Sequence, residues 1–252
     1  MYILFFVILL FLLTFSKKKV ETFDRSVVML VARYNEDLNW LREEPFNKYK
    51  YIVYNKGKNQ QYYKSDKFKY EIKLENVGRE GHSYLQYIID SYYDLSDFTF
   101  FLPGSTDSIN KLDRAKRLVR EIESSQTTDL FGCILLDKSV NETYRYTIWT
   151  NYLATHENNK KLNSDDSMKP SLIQPYGKWF ETRFNNQNID SKCFTNNALF
   201  GITKETILKK SKNYYQDLIK DLEGHHNPET GHYFERSWET IFYPYSSMKY
   251  TY

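Results

Sequence analysis

Ser26 to Ala32 reads SVVMLVA, and every position after the serine is apolar. Seven residues are too few for a buried helix of ordinary length, and three valines favour extended backbone. A strand apolar at each position needs cover on both faces, as in a parallel sheet with helices above and below. Similar runs follow at Tyr49 to Tyr54 (YKYIVY), Tyr70 to Leu74, Phe98 to Leu102 (FTFFL), Leu130 to Leu136 (LFGCILL) and Ala198 to Ile202. Helical spacings separate them. A short helix carries Leu38, Trp40 and Leu41, and longer ones span Ser83 to Tyr93 and Ile109 to Ser124. Lys204 to Leu222 reads as one helix with Thr203 as its N-cap, and Glu229 to Phe242 as another, ended by Pro244. Val140 to Lys169 has weak periodicity and reads as a long excursion. The alternation predicts an α/β class: one domain with a mixed, mostly parallel sheet and helices on both faces.

The start of the chain is a separate object. Met1 to Phe15, MYILFFVILLFLLTF, has no charge and is followed by Lys17, Lys18 and Lys19. Fifteen helical residues reach roughly 23 Å, short of a hydrocarbon core of about 30 Å, and snorkelling lysine stems extend the span. A cleavable signal carries its positive charge before the apolar run, and here the charge comes after. The expected organisation is a membrane anchor at residues 1–16, a polar linker at 17–25, a domain at 26–244 and a tail at 245–252. Lysines on the body side of the anchor place the body in the cytosol. The glycosylation sequon Asn141-Glu142-Thr143 matters only if the body is lumenal.

Composition narrows the partners. The chain has 252 residues, with 35 Lys and Arg against 32 Asp and Glu, a balance that argues against nucleic acid. Two cysteines are too few for a disulfide scaffold or a thiolate zinc site, and Cys133 reads as a core residue. His225, His226 and His232 have no zinc-signature spacing. No P-loop and no G-x-G-x-x-G occurs, so no organic cofactor is implied. Aromatic residues reach 17%, an excess that suits stacking on sugars or bases and equally suits an AT-rich codon bias.

In an open α/β sheet, ligands sit beyond the carboxyl ends of the strands. Four polar clusters fall there: Arg33-Tyr34-Asn35-Glu36-Asp37, Asn55-Lys56-Gly57, Asn76-Val77-Gly78-Arg79-Glu80-Gly81-His82, and Pro103-Gly104-Ser105-Thr106-Asp107. Each alone has a plain structural explanation as a turn, a cap or an ion pair. Four together point to a ligand.

Their order resembles a GT-A glycosyltransferase, in which an apolar first strand enters a Tyr-Asn-Glu turn, here Tyr34-Asn35-Glu36. An Asn-x-Gly turn before a helix (Asn76-Val77-Gly78) and a strand ending in a carboxylate motif (Asp107) follow. The chain is also similar to a narrower group, domain-of-unknown-function family 3431, through Tyr54-Asn55-Lys56-Gly57, Gly78-Arg79-Glu80, Ser83-Tyr84-Leu85 and Glu235-Arg236-x-Trp238. The resemblance runs from about Val27 to Phe242. It implies a GT-A-like domain that takes a sugar from a nucleotide-sugar donor to a glycan or glycoprotein acceptor. The implied donor site comprises Arg33, Tyr34, Asn35, Glu36, Asn55, Lys56, Gly57, Asn76, Gly78, Arg79 and His82. Within it, Tyr34 stacks on the base, Asn35 or Asn55 reads its edge, and Arg79 forks onto phosphate. Glu235 is the expected base for the acceptor hydroxyl, with Glu239 on a solvated face as the alternative. The usual pair of carboxylates is reduced to Asp107. Two schemes for covering the diphosphate therefore stay open: Mn2+ or Mg2+ on Asp107 with neighbouring hydroxyls, or Arg79, Lys56 and Arg33 without metal. The missing carboxylate also keeps open a catalytically inactive, membrane-tethered module that binds a glycan or nucleotide.

Overall fold

The computed structural model describes residues 25–108, 110–135, 168–185, 193 and 198–251. The expected anchor, most of the linker, the Asn141 sequon and most of the 140–169 excursion lie outside the described residues. Among the described residues no helix is long and apolar enough to cross a membrane.

Seven strands form one sheet: β1 (Val27–Arg33), β2 (Lys50–Asn55), β3 (Phe68–Lys73), β4 (Phe98–Pro103), β5 (Leu130–Ile134), β6 (Phe200–Thr203) and β7 (Ser247–Thr251). Their spatial order is β3-β2-β1-β4-β6-β5-β7. β6 is antiparallel to both neighbours, β4 and β5, and the other pairs are parallel. Alternation along β1 divides the core. Val28, Leu30 and Ala32 join one apolar layer, and Met29 and Val31 join the other. The first layer is covered by α1 (Arg79–Ser91), α3 (Tyr176–Phe184) and the C-terminal helices, the second by α2 (Lys111–Glu123) and the Trp40–Phe46 region. The apolar run is thus buried on both sides, as its composition requires.

Three segments differ from expectation. Residues 204–222 form α4 (Lys204–Leu208), α5 (Lys212–Leu218) and a 3-10 turn, Ile219–Leu222. Ser211 restarts the helix by accepting from the Tyr214 amide. Thr203 sits at the N-cap of α4 as expected, but its hydroxyl accepts from the Leu130 amide, 3.0 Å away, and so joins helix start to sheet without a side-chain cap bond. Residues 229–242 divide into α6 (Glu229–Glu235) and α7 (Trp238–Phe242). There the Ser237 hydroxyl donates back to the Tyr233 carbonyl at 2.9 Å, a bond that competes with regular helix. Within the expected tail, Ser247–Thr251 adds β7 to the sheet beside β5.

Cys133 is buried in the core, and it is also bonded to Cys193, sixty residues along, with Cα atoms 5.8 Å apart. Glu239 is 1% exposed rather than solvated. Its carboxylate accepts from the Cys193 amide at 2.7 Å and from the Tyr245 hydroxyl at 2.6 Å, tying both segments to α7. Trp238 is core, packed among Tyr84, Phe200, Phe234 and Phe242.

Candidate functional site

After β1 the chain builds outward through β2 to β3, then returns to place β4 on the other side of β1. That reversal opens a crevice at the carboxyl ends of β1 and β4, where α/β sheets bind ligands. A cleft of about 490 Å³ occupies it, walled by the ends of β1 and β4, the first turn of α1, and His226 and Asn227.

Arg33 is the last residue of β1 and is 1% exposed. Its Nε donates to the Glu36 carbonyl at 2.7 Å, and its Nη1 to Asn55 Oδ1 at 3.0 Å and the Asn59 carbonyl at 2.7 Å. The guanidinium lies 4.2 Å from the centre of the Tyr62 ring. Burial lowers its pKa against the pull of Glu36 and other anionic neighbours, and an arginine stays charged throughout. Nη2 is buried without a hydrogen-bond partner. Asn55 is buried and tied to the frame: its Oδ1 also accepts from the Gly57 amide, and its Nδ2 donates to Glu71 at 2.8 Å. It is therefore a support and cannot read a base edge in this arrangement.

The turn after β1 is held by Glu36, whose Oε2 accepts from the amides of Tyr34 at 2.7 Å and Asn35 at 3.1 Å. The Tyr34 ring, 51% exposed at the cleft, is available for stacking. Asn35 Oδ1 accepts from the Asn59 amide, and Asn35 is not part of the lining. Gly57 packs against this turn so closely that a Cβ there would lie 1.1 Å from the Tyr34 carbonyl oxygen.

Lys56 enters the cleft from the end of β2, with its ammonium donating to the carbonyls of Val77 and Arg79. Burial pulls its pKa down to about 7, with Glu80 opposing. Those bonds fasten the turn that starts α1. Gly78 supplies the left-handed conformation there, and Arg79 follows with φ 51. Asn76 lines the mouth of the cleft. His82 is buried one turn in, held neutral by burial and by Lys56, which lower its pKa to about 4. Gly57, Gly78 and His82 shape the wall from behind.

The floor carries a cluster of titratable groups. Arg79 Nη1 lies 3.2 Å from Asn227 Oδ1 and 3.1 Å from His232 Nε2. A guanidinium only donates, so Nε2 accepts and the His232 proton sits on Nδ1, which lies 3.7 Å from Glu235 Oε1. Burial, Arg79 and Arg236 hold His232 neutral. Arg79 Nη2 is 3.8 Å from Glu235 Oε1, and its Nε is 3.7 Å from Glu80 Oε2. Glu80 and Glu235 both meet Arg79 and act on each other's titration. Burial, then the Glu80 charge, push Glu235 up to about 8. Glu80 is held below its ordinary value: burial opposes this most strongly, and Arg79, the backbone amide, Glu235 and Lys111 together outweigh it. Glu235 therefore keeps a proton more readily than Glu80. Glu80 lines the cleft and Glu235 lies behind it.

Asp107 is exposed at the end of a 3-10 turn, Gly104–Asp107, and lies outside the lining. The Ser105 hydroxyl accepts from Lys111 at 2.9 Å, and the Thr106 hydroxyl donates to the Pro103 carbonyl at 2.6 Å. Among the described residues no three of His, Cys, Asp or Glu gather to hold a metal. A hard cation needs several oxygens, and this donor set does not fit Mn2+ or Mg2+ at Asp107.

Of the expected residues, Arg33, Tyr34, Glu36, Lys56, Asn76 and Arg79 share the cleft. Glu80 and Ser105, members of the expected clusters but not of the expected donor set, also line it, as do Ser83, His226 and Asn227, which were not anticipated there. Glu80 and Ser83 sit three apart on the first turn of α1, a spacing that puts them on one face and could have flagged them. The Ser83 hydroxyl, 1% exposed, has no partner. His226 and Asn227 arrive from the far end of the chain with no local signal. A family model described as Protein of unknown function (DUF3431) matches residues 28–250. No curated protein matches the chain.

Proposed function

The chain belongs to the family Protein of unknown function (DUF3431), and on that footing we propose that its cleft binds a nucleotide-sugar and transfers the sugar to a hydroxyl of a glycan or glycoprotein. A GT-A-like reading of the sheet and membrane attachment through residues 1–16 are parts of the same proposal. The observation that carries it is the pair of buried polar atoms without partners, Arg33 Nη2 and Ser83 Oγ, on two residues that line a cleft at the switch point. Leaving such atoms unpaired costs about 1–3 kcal/mol each, so a polar ligand that reaches them is favoured.

Arg33, Lys56 and Arg79 supply the charge cover for a leaving diphosphate, helped by the positive end of α1. That scheme needs no metal at Asp107. Tyr34 offers its ring to the base at the mouth of the cleft. The carboxylates Glu80 and Glu235 supply proton transfer at the floor.

Thermal shift and hydrolysis with a panel of UDP-, GDP- and TDP-sugars, with and without manganese, test the reading. At least one nucleotide-sugar should raise the melting temperature without manganese and release its nucleoside diphosphate. Stabilisation without release would leave a binding module. A flat response across the panel would remove the nucleotide-sugar reading altogether.

A further inference from the structure

We infer that Glu80 is the acid–base residue of this cleft and that Glu235, hydrogen-bonded behind it, is its positioning residue. The inference rests on the glycosyl-transfer reading and moves the base away from Glu235, where the late Glu-Arg-x-Trp motif places it. The geometry decides between the two. Glu80 lines the cleft and its side chain is 19% exposed, while Glu235 is half as exposed and is absent from the lining. A base must reach the proton it takes, directly or through one water. Glu80 meets that condition, and Glu235 lies outside the lining.

The surroundings give each carboxylate a different task. Glu80 is the second residue of a 13-residue helix, so the positive end of α1 favours its charge. Arg79 lies 3.7 Å from Glu80 and 3.8 Å from Glu235 and bridges the two. Glu235 is flanked by His232 on α6, by Arg236 just after it, and by Arg79 and Glu80 on α1. Two carboxylates in contact cannot both ionise cheaply, so one keeps a proton and donates it to the other. That bond holds the Glu80 carboxylate in place at the cleft. Ser83, one turn along the same face, keeps a buried hydroxyl without a hydrogen-bond partner beside this pair.

The step balances with these groups alone. The acceptor oxygen forms a bond to the sugar anomeric carbon as the bond from that carbon to the diphosphate oxygen breaks. The bonding pair leaves with the diphosphate, whose added charge faces Arg33, Lys56 and Arg79. The acceptor proton passes to Glu80 and then to solvent through the open cleft.

The experiment compares Glu80→Gln, Glu80→Asp and Glu235→Gln with the wild type. It measures turnover of whichever UDP-, GDP- or TDP-sugar the wild type accepts, donor affinity by calorimetry, and carboxyl titration by carbon NMR. Glu80→Gln should lower kcat by about 10²- to 10⁴-fold with little change in donor affinity, and Glu80→Asp should restore part of it. Glu235→Gln keeps a neutral hydrogen-bond donor behind Glu80. It should lower kcat by roughly tenfold or less and remove the alkaline limb that appears as Glu235 loses its proton. NMR should show one glutamate of the wild type titrating far above the rest, and returning toward them in Glu80→Gln. Turnover that survives Glu80→Gln would overturn the inference and leave glycosyl transfer standing. A raised carboxyl titration with no nucleotide-sugar turned over would sink glycosyl transfer and leave the shared proton standing. Two carboxyls titrating in the ordinary range would overturn the pairing itself.

Discussion

Glu235 holds its proton to about pH 8 in the folded chain, where an unfolded glutamate releases it near pH 4.5. A raised folded pKa gives stability that is whole below the unfolded value and lost as pH rises through the folded one. Urea unfolding of the wild type should therefore weaken between pH 4.5 and 8 relative to Glu235→Gln, which carries no such proton. Parallel pH profiles for the two proteins would contradict it. Lys56 works in the opposite sense. Burial pulls it down to about 7, so near neutral pH much of it is uncharged. A diphosphate arriving beside it raises that pKa and draws in a proton. Calorimetry with UDP at pH 7.5, in buffers of different ionisation enthalpy, should register uptake of up to about one proton per UDP bound. Uptake that persists undiminished in Lys56→Met would assign the proton elsewhere. Arg33, Lys56 and Arg79 were legible in the sequence because strand ends are where a sheet presents ligand groups. Glu80 stood in the Asn76–His82 cluster with no role of its own, and its pairing with Glu235 depends on α6 folding back across 155 residues, which no local pattern records.

At the scale of elements, burial on both faces announced β1, β2, β4 and β5, and the helical spacing announced α1 and α2. The breaks inside 204–222 and 229–242 were hidden because the apolar period continues through them, and single serines decide the interruption. The Tyr176–Phe184 helix and β7 were missed as well. β7 is short and carries Lys249 and Thr251 among its apolar residues, so it reads as an end rather than an edge. The turns beyond β1 and β2 depend on each other through Gly57. A methyl group there cannot fit beside the Tyr34 carbonyl without moving one turn away from the other. Gly57→Ala should lower stability by about 3 kcal/mol, the upper range for overpacking, and weaken ligand binding further as Arg33 and Lys56 lose their common setting. Chemical denaturation with binding measured in parallel checks this. An alanine variant of wild-type stability would show that the two turns are not so tightly joined.

For the whole molecule, sequence and structure point to different surroundings. Lysines after the apolar start place the body in the cytosol by charge, whereas a disulfide persists where thiols oxidise. We expect the native protein to carry the Cys133–Cys193 bond and its body to lie outside the cytosol. Alkylation of the unreduced, denatured protein should leave both cysteines unmodified, and labelling of both would restore the cytosolic orientation. Two cysteines cannot staple a small scaffold, which is why their number discouraged a disulfide, yet one pair can close a long loop of a large domain. Closing sixty residues is worth about 4 kcal/mol in the chain-entropy account. The bond also decouples the integrity of the site from the integrity of the backbone. One peptide cut between residues 134 and 192 would produce two polypeptides that remain a single covalent molecule. The fragment with Arg33 and Glu80 would stay tethered to the fragment with Glu235, so a nicked protein could keep its cleft.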